Sequence, residues 1–253
     1  MMLSARLTPS GRRSPVGCPR PQPAARVRLV AFAHAGGGPM TFRNWADELA
    51  PQVELWNVTL PGRAARWREP FAREWTPLAD GLGAAIARDV PGPVALFGHS
   101  LGALLAFEVA RRLTRARVPP VHLIVSGRGA PDVAPALELP ETDEELLRHV
   151  DRLYGGVPDE VRASQELLDH FLPILRADLE LARAYALGPG MALTCPITAM
   201  TGDADPIAPP CELQRWSRQT GAGCEVRVHA GGHFQLVDRE SAAVSTIRDR
   251  LLG

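Results

Sequence analysis

The chain has 253 residues, 45% of them hydrophobic, and its 28 basic and 28 acidic side chains cancel to a formal net charge of zero. A chain of this length and composition can bury one substantial core, so a single domain is expected. The balanced charge gives no support for binding to nucleic acid or to a membrane surface, and no apolar run is long enough to span a membrane.

Residues 1–25 are rich in arginine and proline and hold no apolar run long enough for the core of a signal peptide. We interpret them as a disordered arm, with a basic docking arm as the alternative. One α/β domain is predicted to follow over residues 26–253. Four cysteines without the spacing of a zinc site favour free thiols, so a cytoplasmic protein is expected.

The first predicted strand, Val27 to Ala33, ends at a loop of small residues, His34-Ala35-Gly36-Gly37-Gly38. Glycines there free the backbone to approach a ligand, and a plain turn is the alternative. A helix from Thr41 to Ala50 and a second strand from Val53 to Leu60 are predicted next.

Arginines are concentrated after the second strand, which Pro61-Gly62 ends. The segment before the next predicted helix holds only two acidic residues, Glu69 and Glu74. Its four arginines are Arg63, Arg66, Arg68 and Arg73. Such a cluster is typical of a phosphate-binding surface, and a solvated arginine-rich loop is the alternative.

A Gly-x-Ser-x-Gly motif occurs at Gly98-His99-Ser100-Leu101-Gly102, after a predicted helix from Trp75 to Asp89 and an apolar strand. An apolar helix that ends near Arg117 follows the motif. A serine between a strand and a helix is typical of a nucleophile elbow, where a tight turn exposes the hydroxyl and the first helix amides can stabilise an oxyanion. We therefore predict Ser100 as a catalytic nucleophile, with a second oxyanion donor in the loop after the first strand.

Another strand is predicted over Val121 to Val125, which continues the alternation of strands and helices. This alternation predicts an α/β fold with a mostly parallel central sheet and helices on both faces. Ligands bind at the carboxyl ends of the strands in such sheets. The loops after His34, Ser100 and Ser126 are therefore expected to converge.

Residues 131–190 break the alternation. Glu141 to Arg152 and Glu160 to Leu187 have the apolar spacing of helices, acidic side chains outnumber basic ones, and no strand is evident. A helical insertion between two core strands fits a lid over a site, and a structural cap without gating is the alternative.

The strand pattern resumes from Pro196 to Met200 and from Glu225 to His229, with a helix from Pro210 to Gln219 between these strands and a last helix from Asp238 to Leu252. An aspartate pair, Asp203 and Asp205, follows the first of these strands, and His233 follows the second. The chain order serine, aspartate, histidine is that of the α/β-hydrolases, in which the acid orients the histidine that deprotonates the serine.

His233 is the predicted base, and His34 is its rival among the seven histidines. An imidazole in the loop after the first strand is better placed to shape that loop than to accept the proton of the serine. For the acid, Asp203 and Asp205 stay open, since one of them can cap the turn. No cluster has metal-ligand spacing, so chemistry without a metal is predicted.

Together these residues resemble the type II thioesterases, over about residues 27–252. Beyond the elbow, the resemblance rests on four segments: His34-Ala35-Gly36-Gly37, Leu60-Pro61-Gly62-Arg63, Val125-Ser126-Gly127-Arg128 with Ala130-Pro131, and Leu172-Pro173-Ile174-Leu175-Arg176-Ala177-Asp178. The last of these, in the predicted lid, is the most discriminating.

The resemblance implies an α/β-hydrolase fold with a helical lid at about residues 131–190. It implies hydrolysis of acyl thioesters on the phosphopantetheine arm of acyl or peptidyl carrier proteins, which removes aberrant or stalled acyl groups in polyketide or nonribosomal peptide biosynthesis. It favours Asp205 over Asp203 as the acid, and the backbone N–H groups of Ala35 and Leu101 as oxyanion donors. It implies no cofactor beyond the phosphopantetheine that the substrate carries.

The chain departs from the family pattern at Arg63-Ala64-Ala65-Arg66 and at Gln235, which leaves acyl preference and carrier docking open. His34, Arg63 and Arg66 are the predicted substrate or carrier contacts. Two other functions remain as alternatives: a carboxylesterase or lipase-like hydrolase of free esters or acyl-CoA, and a non-catalytic binding protein with the same fold.

Overall fold

The computed structural model describes residues 14–133, 139–155, 157, 159–234 and 242–253. The strands are β1 (Val16–Gly17), β2 (Val27–Phe32), β3 (Val53–Val58), β4 (Val94–His99), β5 (His122–Ser126), β6 (Ile197–Gly202) and β7 (Cys224–His229). The α-helices are α1 (Trp45–Leu49), α2 (Trp75–Asp89), α3 (Leu101–Arg115), α4 (Asp143–Tyr154), α5 (Asp159–Arg162), α6 (Gln165–Arg183), α7 (Pro210–Leu213) and α8 (Ala242–Leu252). Short 3-10 helices lie at Pro39–Phe42, Ala64–Arg66 and Gln214–Gln219.

The strands form one sheet in the order β1-β3-β2-β4-β5-β6-β7. β1 runs antiparallel to β3, and every other neighbouring pair is parallel. A parallel pair needs a crossover connection, which the intervening helices supply. The prediction of a mostly parallel α/β fold is confirmed, and the carboxyl ends of β2, β4, β6 and β7 lie along one edge of the sheet.

Helices cover both faces of the sheet, as the strand patterns predict. On one face, α1 and α8 pack over an aromatic group in which Phe97 of β4 contacts Phe42 and Trp45. On the other face, α2 and α3 pack over a larger cluster that includes Trp216. β4 is buried on both faces and lies in the middle of the core. Ser100 follows it directly, so this serine lies at the carboxyl end of a central strand.

The prediction of a disordered arm is wrong for residues 14–25. β1 is the edge strand of the sheet and pairs with β3, and Thr59 N–H donates to the Pro15 carbonyl at 2.8 Å. Val16 is 5% exposed and joins the core, so the segment gains both apolar burial and edge hydrogen bonds. The abundance of arginine and proline in residues 1–25 favours the prediction of disorder, because a strand of two residues leaves no apolar pattern in the sequence. Residues 1–13 lie outside the described part of the chain.

Between β5 and β6 the described residues hold α4, α5 and α6 and no strand, which agrees with the predicted helical insertion. The helix expected from Glu160 to Leu187 is divided, because Ser164 caps a new helix by accepting from Leu167 N–H at 3.3 Å. α4 and α6 share a small apolar cluster of their own. The insertion thus has a small core of its own, and Ala182 of α6 also joins the main core of the sheet.

Other boundaries differ from the predicted ones by a few residues. The helix expected from Thr41 to Ala50 is a 3-10 turn followed by the short helix α1, and the helix expected from Pro210 to Gln219 is α7 followed by a 3-10 turn. The last helix is described from Ala242. Its predicted start at Asp238, and the sequence departure at Gln235, lie outside the described residues.

Gly102 in the first turn of α3 allows that helix to approach β2 closely. A Cβ atom there would lie 2.1 Å from the carbonyl oxygen of Phe32. Because that oxygen belongs to the backbone of β2, the clash can be relieved only by moving α3 away from the sheet. We expect Gly102→Ala to lower the free energy of unfolding by about 3 kcal/mol. Urea denaturation measures this change.

Gly81 in α2 supplies the matched control, because nothing lies within 4 Å of a Cβ atom built there. Gly81→Ala is expected to raise the free energy of unfolding by up to about 1 kcal/mol through helix propensity. Equal stability for the two alanine variants would contradict the close approach of α3 to β2.

Candidate active site

Ser100 lies at the turn between β4 and α3, with φ 56° and ψ −116°. This backbone conformation is strained for a residue with a side chain and costs about 1–3 kcal/mol. Gly98 permits the turn, because a Cβ atom at that position would lie 2.1 Å from the Gly102 carbonyl oxygen. Leu101 begins α3, so its N–H has no acceptor within the helix and is free for an anion. The local geometry is that of a nucleophile elbow.

His233 and Asp205 form a buried pair. His233 Nδ1 lies 2.8 Å from Asp205 Oδ2, and the two residues are 2% and 4% exposed. A carboxylate only accepts, so Nδ1 carries the proton that it donates to Asp205. The other ring nitrogen, Nε2, is buried and has no hydrogen-bond partner among the described residues. In the neutral ring this Nε2 holds a lone pair, as a general base requires.

The aspartate alternatives are distinguished by what each carboxylate binds. Asp205 Oδ1 accepts from Ile207 N–H at 2.9 Å while Oδ2 holds His233, so both oxygens are occupied. Asp203 is exposed, and its Oδ1 accepts from Gly231 N–H at 2.8 Å. Asp203 therefore braces the turn before His233, and Asp205 is the partner of the histidine ring.

His99 and Gly127 bring the elbow, the end of β5 and the His233 loop together. The His99 and His233 ring centroids are 4.7 Å apart, and His99 Nδ1 lies 3.1 Å from Ser126 Oγ. A Cβ atom on Gly127, which has φ 61°, would lie 2.7 Å from His99 Cε1 and 3.0 Å from His233 Cε1. The expected convergence of the loops after β2, β4 and β5 is confirmed by these contacts and by the 6.1 Å between the His34 and His99 rings.

His34 braces its own loop. Its Nδ1 lies 2.9 Å from the Ala35 carbonyl oxygen and donates to it, and its ring packs 4.8 Å from that of Phe234. Burial lowers the pKa of His34 to about 4, and burial also holds the pKa of His99 well below its usual value. Both rings are therefore neutral at pH 7. Since Nδ1 of His34 is used by backbone, the geometry favours a loop-shaping residue over a rival base.

Arg63 does not lie on the surface, which corrects its prediction as a carrier contact. It is 6% exposed and pairs with Asp178, with 2.6 Å between Nη2 and Oδ1. Arg66 is also engaged, because Nε and Nη2 bind Glu69 at 2.9 and 2.7 Å and Nη1 donates to the Thr59 carbonyl. Charge counting along the sequence places these arginines together but cannot show that their partners neutralise them.

Tyr154 and Asp178 have no predicted role in the sequence, yet both lie near the site. The Tyr154 ring at the end of α4 lies 4.9 Å from the His233 ring, so the helical insertion reaches the buried pair. Asp178 is 3% exposed on α6, within a run of buried apolar residues. A charged residue on the apolar face of a helix was the available signal for Asp178, since buried carboxylates need partners.

Within the described residues, no three His, Cys, Asp or Glu side chains are grouped so that they would hold a metal ion. Of the helices in the described ranges, none combines the length and apolar character needed to cross a membrane.

His122 on β5 makes stability depend on pH. Burial lowers its pKa from 6.5 to about 4, and its Nε2 lies 2.9 Å from Thr198 Oγ1. Between these two pH values the unfolded chain binds a proton that the folded protein excludes, so the free energy of unfolding falls as pH falls from 6.5 to 4. His34 acts in the same direction.

We expect His122→Gln to flatten the decline in stability, by at most about 1.4 kcal/mol per pH unit. Urea denaturation at pH 7, 6, 5 and 4.5 measures the slope. His122 lies at the amino end of β5, so activity at pH 7 serves as an internal control. An unchanged slope would contradict this source of pH dependence.

A serine elbow at the carboxyl edge of a parallel sheet, with a buried imidazole and carboxylate in the neighbouring loops, is typical of the α/β-hydrolases. The thioesterase domain family matches residues 27–251, and the chain belongs to that family. The resemblance to type II thioesterases is confirmed by known relatives and solved structures.

Thioesterase PikA5 of Streptomyces venezuelae is 40% identical over 237 residues, which cover 92% of this chain and 83% of that relative. The RedJ thioesterase from the prodiginine biosynthetic pathway in Streptomyces coelicolor has a TM-score of 0.81 and 36% identity, with 90% of each chain covered. The type II thioesterase BorB from the borrelidin biosynthetic cluster has a TM-score of 0.82 and 37% identity, covering 93% of this chain and 97% of that one.

Proposed function

We propose that this protein hydrolyses acyl groups held as thioesters on the phosphopantetheine arm of carrier proteins, clearing aberrant or stalled units in polyketide or nonribosomal peptide biosynthesis. The observation that carries the proposal is the buried His233–Asp205 pair beside the Ser100 elbow, in a chain of the thioesterase family. Type II thioesterases from the borrelidin cluster and the yersiniabactin NRPS/PKS pathway, and a thioesterase from the prodiginine pathway, are similar to this chain, which supports a carrier-bound substrate.

In the first half-reaction, Ser100 Oγ attacks the thioester carbonyl and its proton passes to His233 Nε2. Asp205 binds Nδ1, which leaves Nε2 to take the proton, and it stabilises the imidazolium that forms. The backbone N–H groups of Ala35 and Leu101 receive the oxyanion. When the tetrahedral intermediate collapses, the carbon–sulfur bond breaks and the departing sulfur takes the proton from His233.

In the second half-reaction, water attacks the acyl-serine ester and gives its proton to His233 Nε2. Collapse of this intermediate releases the carboxylic acid and returns the proton to Ser100 Oγ. Both half-reactions pass their proton through His233 Nε2, so Ser100, His233 and Asp205 need no cofactor for these steps. A thiolate is a better leaving group than an amine, which suits an enzyme that accepts many acyl groups.

For the carrier, we place the docking surface on the exposed part of the arginine segment. Trp67 is 65% exposed, and the Arg68 guanidinium stacks 4.7 Å from its ring. The Arg73 side chain is 75% exposed, although its Nη1 lies 3.3 Å from Glu180 Oε2 on α6. A basic surface with an aromatic centre fits an acidic carrier protein. The helical insertion is rich in acidic side chains and fits that partner poorly.

Charge reversal at Arg68 and Arg73 tests this surface. The double variant Arg68→Glu/Arg73→Glu is expected to raise KM for an acyl carrier protein by about tenfold at low salt, while kcat on a p-nitrophenyl ester stays unchanged. The control is Arg115→Glu, an exposed arginine at the opposite end of α3 from Ser100. Equal KM values for the two charge-reversed proteins would exclude this docking surface.

The proposed substrate is tested with three acyl donors that share one acyl group: an acylated carrier protein, the acyl-CoA and the p-nitrophenyl ester. Intact-protein mass spectrometry follows acyl loss from the carrier. We expect the highest kcat/KM on the carrier. Rapid hydrolysis of the free donors with an untouched carrier would support the small-molecule esterase alternative, and no hydrolysis of any donor would support a binding protein.

A further inference from the structure

Three segments that are far apart in the sequence meet at one buried ion pair. Arg63, just after β3, holds Asp178 on α6 with 2.6 Å in each of its two N–H···O contacts. Both residues are buried, with 6% of Arg63 and 3% of Asp178 exposed. The third segment is the loop after β2, whose backbone both partners bind.

That loop is held on both sides of Gly36. Gly36 N–H donates to Asp178 Oδ2 at 2.8 Å, and the Gly37 carbonyl accepts from Arg63 Nη1 at 2.9 Å. The carbonyl of Ala35 accepts from His34 Nδ1 at 2.9 Å. The peptide group between Ala35 and Gly36 therefore has both polar atoms bound, which restricts rotation at Ala35.

Packing adds to this hold. Gly36 has φ +78°, and a Cβ atom there would lie 2.9 Å from the Phe171 ring on α6. Ala35 packs against both the apolar cluster of the sheet and the cluster of the helical insertion. The loop is thus enclosed between the sheet and α6.

The ion pair ties α6 to this arrangement. If α6 moved away, Arg63 and Asp178 would each lose a bidentate partner, and a buried charge without a partner is strongly unfavourable. An oxyanion donor stabilises the transition state only when it is aimed before the reaction begins. A contact that fixes α6 therefore also fixes the donor beside it.

We propose that the Arg63–Asp178 pair is a positioning element that aims the Ala35 N–H at the oxyanion, and that α6 is a fixed wall of the active site. The proposal rests on the proposed function, because it takes Ala35 as an oxyanion donor. It assigns a role to the segments Leu60–Arg63 and Leu172–Asp178, which the serine, histidine and aspartate leave unexplained.

Asp178→Asn tests the proposal, because asparagine keeps the size of the side chain and removes the charge that holds the guanidinium. We expect kcat on a p-nitrophenyl ester and on an acyl thioester to fall about 10²-fold, with KM within about threefold of the wild-type value. The rate at which a fluorophosphonate modifies Ser100 is expected to fall in parallel, since its phosphoryl oxygen needs the same donors.

Glu54→Gln is the matched control. Glu54 is a buried carboxylate that accepts from Gln22 N–H at 2.6 Å and from Trp56 Nε1 at 2.7 Å and lies 3.4 Å from Arg28 Nε. It lies near the amino end of β3, at the opposite edge of the sheet from Ser100. We expect Glu54→Gln to lose stability and to keep kcat and the phosphonylation rate.

Full kcat in Asp178→Asn, or an equal kcat loss in Glu54→Gln, would overturn the proposal. If Asp178→Asn does not fold, Arg63→Lys replaces it, because lysine keeps the charge but lacks the planar fork; the same kcat loss is expected, and an unchanged kcat overturns the proposal. A wild-type enzyme that cleaves the ester but no carrier thioester would contradict the proposed function alone, and the ester kinetics of the variants would still decide this inference.

Discussion

Replacing Ser100 by alanine is expected to lower kcat by at least about 10⁴-fold on every acyl donor. The loss is large because the hydroxyl is the atom that bonds to the acyl carbon, and water held at the same place lacks a covalent route. The elbow itself is expected to persist, since alanine faces the same backbone strain at φ 56° that serine does. Steady-state kinetics with circular dichroism separate chemistry from folding.

Ser126→Ala is the control for that variant. Ser126 ends β5 beside the elbow, is fully buried, and has its hydroxyl 3.1 Å from His99 Nδ1. Its carbonyl accepts from Ser100 N–H at 2.8 Å, a bond that alanine keeps, and among the described residues its hydroxyl bonds only His99. We expect kcat within about tenfold of the wild-type value. Comparable losses in the two variants would contradict a unique role for Ser100.

Asp205→Asn is expected to lower kcat by about 10⁴-fold. The amide keeps the shape of the side chain, but its NH₂ group in place of Oδ2 favours the wrong tautomer of His233, with the proton on Nε2. Such a ring cannot take the proton of Ser100. Because this reason concerns tautomer and not packing, melting temperature is expected to change much less than kcat.

Asp203→Asn distinguishes the two aspartates. Asp203 is exposed and braces the turn through Gly231 N–H, a bond that asparagine Oδ1 can also accept. We expect kcat to stay within about threefold of the wild-type value. If Asp203→Asn were the more damaging substitution, the assignment of Asp205 as the partner of the base would be wrong.

The elbow and the order of the three residues were predictable because each signal is local. An apolar strand, Gly98-His99-Ser100-Leu101-Gly102 and an apolar helix are contiguous in the sequence. The two glycines lie where the backbone approaches so closely that a Cβ atom would clash. Likewise, a residue that follows a strand of a parallel sheet must lie at its carboxyl edge. Those two facts suffice to bring His34, Ser100 and His233 together.

The aspartate pair was not decidable from these residues alone. Asp203 and Asp205 are two positions apart after the same strand, and which carboxylate faces the histidine depends on the path of the turn. The structure answers through two hydrogen bonds, one to a backbone N–H and one to the ring. Only the family resemblance favoured Asp205 at the level of sequence.

Long-range pairing accounts for the predictions that failed. Arg63 looked like a surface cation because its partner, Asp178, lies 115 positions away on α6. Residues 14–25 looked disordered because their contribution is an edge strand two residues long, which no periodicity can reveal. In both cases the stabilising contact is absent from the local sequence and exists only in the folded chain.

The most direct test of Ser100 as the nucleophile is to locate the acyl group during turnover. Arginine-specific cleavage releases residues 89–111, in which Ser100 is the only hydroxyl- or thiol-bearing side chain. The enzyme is mixed with an acyl thioester, quenched in acid within the first turnovers, digested and analysed by mass spectrometry. We expect the acyl mass to appear on this peptide and to disappear as the thioester is consumed. Thioester consumption with an acyl group on another peptide, or on none, would contradict this role of Ser100.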